Sequence, residues 1–246
     1  MSSLPPTSRN RSTGGRGEDD GRDASTAAQV SRPPDRSKLR TAAQVRAARV
    51  SGVSDERVLA AVARVPRAGF VADEYVDDAD EDRPLAIGHG QTTSQPSLIA
   101  AMVACLDIGP DDTVLEVGSG YGYQTALLSL LARHVYSVEI IGDLAIHAQR
   151  NLRAFGAANV DVVVGDGSLG LPAFAPYNAI IVCAAFPDIP PPLAEQLAEH
   201  GRIVQPIGPG GFEQVMVFEK QDGVLKSLGM LTLASFVRLT GKYGHH

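Results

Sequence analysis

Short apolar runs alternate with amphipathic segments from about residue 112 to residue 208. Five runs are apolar nearly throughout, which is typical of strands buried on both faces of a parallel sheet. Three segments between them repeat apolar residues with helical spacing, which predicts helices covering both faces of that sheet. The predicted strands are 112–118, 135–140, 160–167, 177–185 and 202–208, and the predicted helices are 123–134, 143–156 and 191–201.

Further elements are predicted on both sides of this core. After it, residues 213–233 hold two β-like runs around Asp222-Gly223, a dipeptide that predicts an antiparallel hairpin. Before it, the sequence predicts three helices, at 37–50, 54–66 and 95–109. The fold class is therefore α/β, with a mostly parallel central sheet, N-terminal helical additions and a C-terminal antiparallel hairpin.

Local signals mark the ends of the N-terminal helices. Ser54 is the predicted N-cap of the second helix, and Pro66 ends that helix because the residue before a proline avoids helical conformation. Pro96 suits the first turn of the third helix, where no backbone N–H is needed. Residues 68–85 connect these two helices and are expected to pack three large side chains onto the domain, those of Phe70, Val71 and Tyr75.

The first 36 residues differ in composition from the rest of the chain. They are rich in Ser, Arg, Gly, Pro and Asp and contain no aromatic residue. Such a segment cannot bury enough apolar surface to offset the entropy lost on ordering, so we expect residues 1–36 to be a disordered tail. The remaining length suits a single α/β domain with additions, over residues 37–246.

The uneven distribution of charge argues against nucleic acid as a partner. Residues 1–40 hold 8 Lys and Arg against 5 Asp and Glu, whereas the rest of the chain holds 14 against 23. A folded domain with this excess of acidic residues binds nucleic acids poorly, because most of the affinity for nucleic acids comes from neutralising their phosphates with basic residues. The sequence has no apolar run long enough to span a bilayer and begins without a secretory signal, so no membrane association is expected.

The two cysteines, Cys105 and Cys183, lie in apolar sequence surroundings. A disulfide between them is one interpretation, and two free thiols in a reducing compartment is the one that we favour. The expected location is therefore the cytoplasm. A monomer is the expected oligomeric state.

The first core strand leads into a glycine-rich turn, Gly118-Ser119-Gly120-Tyr121-Gly122, which is followed by a helix. Glycines permit positive φ and let a ligand lie against the backbone at the carboxyl edge of a parallel sheet. The spacing lacks the third glycine of the dinucleotide fingerprint. By itself the turn fits either a nucleotide site or a tight strand–helix connection without a ligand.

Acidic residues near three successive strand ends favour a nucleoside site. Glu116 lies in an apolar strand two residues before Gly118, where an unpaired charge is costly. Glu139 ends the next strand, where a carboxylate can accept both hydroxyls of a ribose, and Asp166 ends the third, where it can face an adenine amino group. Each alone could be a helix cap or a loop charge. Because negative charge at the turn suits a cationic amino-acid group better than a pyrophosphate, the pattern favours S-adenosylmethionine over NAD.

Five stretches resemble the protein-L-isoaspartate (D-aspartate) O-methyltransferase family, from about Ser54 to the C-terminus. They are VPRAGFV (65–71), LAIGHGQTTSQP (85–96), VLEVGSGYGYQTALLS (114–129), NAIIVCAAFPDIPPPLAEQLAEHGRIVQPIG (178–208) and FVRLTG (236–241). Many methyltransferases share the glycine turn, whereas the G-Q-T-x-S-Q-P pattern is far narrower. The resemblance implies a class I methyltransferase with a Rossmann-like fold. Residues 37–100 would then carry the active-site segment, and residues 101–246 the donor-binding core and hairpin.

The chain departs from the family pattern at four positions. Thr93 replaces the usual isoleucine, Ile140 stands where a basic residue is common, His200 replaces the first glycine of a pair, and Arg238 replaces a proline. None of these changes removes a polar group expected to be essential. Arg238 adds charge near the expected substrate mouth, so it bears on peptide preference more than on the chemistry.

The resemblance also implies a reaction and the residues that carry it. A methyl group passes from S-adenosylmethionine to the free α-carboxylate of an L-isoaspartyl residue, and the ester closes to a succinimide that hydrolyses partly to aspartate. The expected substrates are thus isoaspartyl-containing proteins and peptides, and the expected active-site residue is Ser94. The expected donor site comprises Thr92, Thr93, Glu116, Gly118, Ser119, Gly120, Glu139, Asp166, Gly167 and Thr240.

This chemistry requires no catalytic base. An α-carboxylate with a pKa of roughly 3.5–4 is already ionised at neutral pH. Catalysis is therefore expected from alignment and from the exclusion of water. Ser94, just before Pro96 at a predicted helix start, can donate to the carboxylate, hold the sulfonium end, or only cap the helix.

Three other functions stay open at this point. One is a related carboxyl methyltransferase that modifies normal aspartate in a dedicated peptide, and another is a methyltransferase acting on a small molecule. The third is a non-catalytic protein that retains the donor pocket. The presence of Ser94, Glu116, Glu139 and Asp166 argues against this third function.

Overall fold

The computed structural model describes residues 36–245, so the predicted tail lies outside the described residues except for Arg36. The helices are α1 (Arg36–Val50), α2 (Glu56–Arg64), α3 (Pro96–Cys105), α4 (Tyr123–Ser129), α5 (Gly142–Phe155) and α6 (Pro191–Gln196). The strands are β1 (Leu85–Gly88), β2 (Gln91–Thr93), β3 (Thr113–Val117), β4 (His134–Glu139), β5 (Val160–Val164), β6 (Tyr177–Val182), β7 (Leu197–Ile207), β8 (Glu213–Gln221) and β9 (Val224–Ala234). Within residues 36–245, no helix is long and apolar enough to cross a bilayer.

Seven strands form the central sheet, in the order β5-β4-β3-β6-β7-β8-β9. Strands β3 to β7 are parallel and β8 and β9 are antiparallel, which confirms the predicted α/β class. The predicted hairpin turn is Asp222-Gly223, with φ of 54° and 76°. The chain runs from β3 outward to β4 and β5 and then returns to β6 on the other side of β3. Ligands bind at the carboxyl ends of strands at such a switch point.

Alternate residues of the central strands enter two separate cores. Val114 of β3 packs in the core that includes α1 to α5, and Leu115 packs in the opposite core, which includes α6. The segment after α2 packs on the domain as predicted, with Phe70 in the first of these cores. Phe70 is buried with its ring centroid 6.1 Å from that of Tyr123, and Val71 is buried in a smaller cluster with the half-buried Tyr75.

The structure corrects one detail of the N-terminal helices and the end of one core helix. The N-cap of α2 is Asp55, not Ser54, and its carboxylate accepts the backbone N–H of Arg57 at 2.7 Å. The predicted stop before Pro66 and the place of Pro96 at the start of α3 are confirmed. α4 ends at Ser129, five residues before the predicted end.

The predicted helix over 191–201 is wrong in its second half. α6 ends at Gln196 and the chain continues directly into β7, whose residues 202–207 pair with β8. Lys220 of β8 donates to the carbonyls of Ala194 and Leu197 at 2.9 and 2.8 Å, so these groups at the helix end are satisfied by a side chain. Leu197 instead pairs with Tyr177 of β6, so pairing within the sheet overrides the local helix propensity.

A β-hairpin that the sequence does not predict precedes α3. β1 pairs with β2 in a separate two-stranded sheet, with Leu85 opposite Thr93. The turn residues His89 and Gly90 have φ of 53° and 69°, the left-handed values of a two-residue hairpin turn. The hairpin leads directly into α3.

Candidate active site

A cavity of about 360 Å³ lies at the carboxyl ends of β3, β4 and β6, within the usual size range of small-molecule sites. The hairpin β1–β2, the glycine turn after β3, the end of β4 and residues 236–240 contribute to its lining. Nine of the predicted site residues line it, namely Thr92, Thr93, Ser94, Gly118, Ser119, Gly120, Glu139, Gly167 and Thr240. Glu116 and Asp166 are not among the lining residues.

Gly118 begins the glycine turn in a conformation that only glycine adopts without strain. Its φ is 96°, and its N–H donates to the carbonyl of Val138 at 2.8 Å. A Cβ at this position would lie 3.2 Å from the Cβ of Cys183, which follows β6. The absence of a side chain therefore lets the ends of β3 and β6 approach each other at the cavity.

Glu139 presents a fixed carboxylate to the cavity. Its side chain accepts the N–H of Gly120 at 2.9 Å and the N–H of Ile141 at 3.0 Å, and only 5% of the residue is exposed. A carboxylate offers about four lone-pair sites, so two bonds leave capacity for the hydroxyls of a ligand. The position at a strand end, predicted from the sequence, is that of a ribose-binding residue.

Glu116 lies beneath the turn rather than in the cavity. It is fully buried and accepts hydrogen bonds from Gln124 at 2.9 Å and from the hydroxyls of Thr125 and Ser137 at 2.5 Å. Burial raises its pKa to about 6, although the three donors act against this shift. The Ser137 hydroxyl also contacts that of Ser119 in the turn. Its contacts support the turn, and the contact of Glu116 with the methyl donor stays a prediction.

Asp166 holds the C-terminal residues in place. Its carboxylate accepts the N–H and the hydroxyl of Ser168 at 2.9 and 2.6 Å, and the N–H of Lys242 at 2.7 Å. Partial burial alone would raise the pKa of Asp166, but these bonds outweigh it and the pKa falls below its ordinary value. The carboxylate thereby anchors the segment that carries Thr240 to the end of β5.

Ser94 lines the cavity just after β2, and no hydrogen bond to its hydroxyl is found within residues 36–245. The interpretation of Ser94 as the cap of α3 does not fit the structure, because Gln95 occupies the N-cap position. The first-turn N–H of Ser97 is bound instead by the carboxylate of Asp82 at 2.9 Å, and the Ser97 hydroxyl by the same carboxylate at 2.7 Å.

Arg67 holds this segment from within the protein. The residue is 1% exposed, and burial lowers its pKa to about 10. Its guanidinium donates at 3.0 Å to the carbonyl of Ser94 and, also at 3.0 Å, to those of Glu81 and Arg83. One side chain thus fixes the backbone before the hairpin and the backbone of Ser94 together.

The sequence alone predicts no role for Arg67 or Asp82. Arg67 lies in the stretch VPRAGFV, and Asp82 lies in the connecting segment 68–85. The partners of Arg67 are backbone carbonyls 14 to 27 residues away. Every residue type has a backbone carbonyl, so the sequence does not show which residues accept these bonds. The available signal was a charged residue between a helix-ending proline and the buried Phe70.

Comparison with known proteins identifies the family. The family profile described as protein-L-isoaspartate(D-aspartate) O-methyltransferase matches residues 40–244. The chain belongs to the protein-L-isoaspartate O-methyltransferase family. A family protein of that name from Methanoregula boonei is 48% identical over 193 residues, 78% of this chain and 88% of the relative. The Myxococcus xanthus protein of the same name is 47% identical, over 78% of this chain and 92% of its own length.

Solved structures agree with this family assignment. One protein-L-isoaspartate O-methyltransferase structure superposes with a TM-score of 0.75 at 29% identity, covering 83% of this chain and 67% of its own. A Plasmodium falciparum protein solved in complex with S-adenosyl-L-homocysteine superposes with a TM-score of 0.71 at 21% identity, covering 82% of this chain and 98% of its own. At 21% identity, the second superposition supports the assignment of the fold alone.

Proposed function

We propose that this chain transfers a methyl group from S-adenosylmethionine to the free α-carboxylate of L-isoaspartyl residues in damaged proteins. One observation carries the proposal: in a chain of this family, Glu139, the glycine turn and Ser94 line the same cavity. The ester product closes to a succinimide, whose hydrolysis restores part of the normal aspartate. This is repair, and the names of the relatives favour it over modification of a dedicated peptide.

The cavity residues fit a nucleoside-bearing donor. Glu139 is fixed at a strand end and retains acceptor capacity for ribose hydroxyls. Gly118 and Gly120 have no side chains where the methyl donor would lie. Ile141 and Leu144 add apolar surface for its adenine ring. When bound, S-adenosylmethionine supplies an electrophilic methyl group on positively charged sulfur. The contact of Asp166 with an adenine amino group stays a prediction.

The acceptor is a carboxylate that is already ionised, so the chain has to position it and exclude water rather than remove a proton. Within the described residues, no histidine lines the cavity. Burial, reinforced by the nearby Glu116, raises the pKa of the Cys183 thiol and keeps it neutral. Ser94 is the candidate for orienting the acceptor, since its hydroxyl is free to donate. Orientation of this kind can contribute up to roughly 10 kcal/mol.

The function is tested with two peptides that differ only in an isoaspartyl or an aspartyl linkage. Donor-dependent methylation of the isoaspartyl peptide alone is the expected result, measured by release of S-adenosylhomocysteine. Equal labelling of both peptides would contradict the proposal, and labelling of the aspartyl peptide alone would favour the dedicated-peptide alternative.

The role of Ser94 is tested by Ser94→Ala with Ser97→Ala as the matched control. Loss of a hydrogen bond to a charged group should lower kcat for the isoaspartyl peptide by about 10- to 100-fold in Ser94→Ala. Ser97→Ala removes a hydroxyl three residues away that bonds to Asp82 outside the cavity. It should therefore lower the free energy of unfolding and leave kcat nearly unchanged. An unchanged kcat in Ser94→Ala would contradict the role.

Finer parts of the proposal concern partners and location. Residues 37–100 are proposed to carry the active-site segment and residues 101–246 the donor core. The proposed substrates are isoaspartyl-containing proteins and peptides, the proposed state is a monomer, and the proposed location is the cytoplasm. The acidic body supports the absence of a nucleic-acid partner. Light scattering of the purified chain, which should give a mass near 25.9 kDa, checks the monomer.

A further inference from the structure

Two residues with formal charges, Glu139 and Arg238, are among those that line the cavity in the described part of the chain. The carboxylate of Glu139 is held by two backbone N–H groups. Arg238 differs, because it is exposed and its guanidinium has no hydrogen-bond or ion-pair partner among residues 36–245.

The backbone around Arg238 is fixed on both sides. Ala185, which follows β6, donates its N–H to Val237 at 2.7 Å and accepts the N–H of Leu239 at 2.8 Å. Leu239 is buried with 4% exposure, so the extended backbone directs the neighbouring Arg238 away from the core. The position of the charge is therefore set by the fold.

The side chain of Arg238 rests on a glycine. A Cβ at Gly210 would lie 2.7 Å from Cγ and 2.8 Å from Nε of Arg238. Gly210 has φ of 100°, so both its conformation and the close approach require glycine. The loop between β7 and β8 thus supports the aliphatic part of Arg238 and leaves the guanidinium at the mouth of the cavity.

We infer that Arg238 is a specificity-determining residue that binds an acidic side chain next to the isoaspartyl residue of the substrate. This inference rests on the proposed function. A guanidinium without a partner binds carboxylates through two parallel hydrogen bonds. Its exposed position suits a flanking residue better than the reacting carboxylate. A direct ion pair with the reacting group would also stabilise the ground state and gain nothing in rate.

The experiment uses two isoaspartyl peptides that differ only in Glu or Gln after the isoaspartyl residue. For the wild type at low ionic strength, kcat/KM for the Glu peptide should exceed that for the Gln peptide by about two- to five-fold, the usual range for an exposed ion pair. Arg238→Gln should bring the ratio to about one, and Arg238→Lys should retain part of it. Added salt should lower the wild-type ratio.

The matched control is Arg153→Gln, which removes the same charge from an exposed position on α5 outside the cavity lining. It should keep the wild-type ratio. A wild-type ratio of one, or an unchanged ratio in Arg238→Gln, would overturn the inference while leaving the methyltransferase function intact. Failure of the wild type to methylate either peptide would overturn both the proposed function and the inference.

Discussion

The glycine turn after β3 and the segment from Ala79 to Ser97 both contribute to the lining of the cavity, but different interactions hold them. The turn is held by groups at the end of the neighbouring strand β4, through the bond from Gly118 to the carbonyl of Val138 and the bond from Gly120 to the carboxylate of Glu139. The segment is held by the side chain of Arg67, which lies outside it, and by that of Asp82, which lies within it and binds Ser97. The proposed donor-binding region is thus built on the sheet, whereas the proposed acceptor-binding region is held by a few side chains.

This difference predicts that the segment depends most on one side chain, that of Arg67. Arg67→Ala should have the largest effect on stability, because it leaves several backbone carbonyls without a donor and opens a cavity. The expected loss in the free energy of unfolding is about 3 kcal/mol, measured by denaturant titration. Arg83→Ala, in the same segment but exposed and paired only with surface acids, is the control and should change stability little. Equal effects in both variants would contradict the role of Arg67.

The support beneath the turn is tested through Glu116. Its folded pKa of about 6 exceeds the ordinary value of 4.5, so its contribution to stability is full below pH 4.5 and is lost as the pH rises through 6. The free energy of unfolding of the wild type minus that of Glu116→Gln should fall by about 2 kcal/mol between pH 4 and pH 7. Asp166→Asn is the contrast, since the lowered pKa of Asp166 predicts a difference that rises with pH. A difference that does not depend on pH would contradict the burial of a titrating Glu116.

The turn itself is tested by Gly118→Ala, with Gly52→Ala as a control of the same φ. Both residues have φ of 96°, but a Cβ at Gly118 meets Cys183, whereas a Cβ at Gly52 meets no atom within 4 Å. Each variant should lose about 1–2 kcal/mol through backbone strain. Only Gly118→Ala should also weaken donor binding, measured by calorimetry. Equal donor affinity in the two variants would show that the turn does not contact the donor.

The smallest expected effect is at the cap of α3. Asp82→Ala removes the acceptor of the Ser97 N–H and should cost about 1 kcal/mol, measured by thermal unfolding. Asp73→Ala, at an exposed position in the linking segment, is the control. A loss in the control as large as that in Asp82→Ala would mean that net charge, rather than capping, sets the effect.

The same comparison explains which parts of the site could be predicted from the sequence. The positions of the glycine turn and of Glu139 could be predicted, because both follow from the regular ends of strands β3 and β4. The hairpin at Asp222-Gly223 was found for a similar local reason. The contacts of Arg67 were not found, because its acceptors are backbone carbonyls whose position depends on the complete fold. Lys220 of β8 donates to carbonyls at the end of α6, and this contact also depends on the complete fold.

Glu116 shows a second limit. Its position on the strand before the turn was predicted correctly. This position does not determine whether the side chain faces the cavity or is buried beneath the turn. The three donors that surround it, on α4 and β4, decide its role. His200 is a third case, since it was predicted in a helix and instead has φ of 61° within β7, at the position where the family pattern has glycine.

The pH dependence of kcat tests the central claim, that this site positions an ionised carboxylate and uses no catalytic base. Glu116, with a pKa of about 6, and Arg67, with a pKa of about 10, both titrate outside the range from pH 7 to pH 9. With saturating donor and isoaspartyl peptide, release of S-adenosylhomocysteine should therefore vary by less than about twofold across this range. A rise in log kcat with a slope of one between pH 7 and pH 9 would reveal a titrating base and contradict the account.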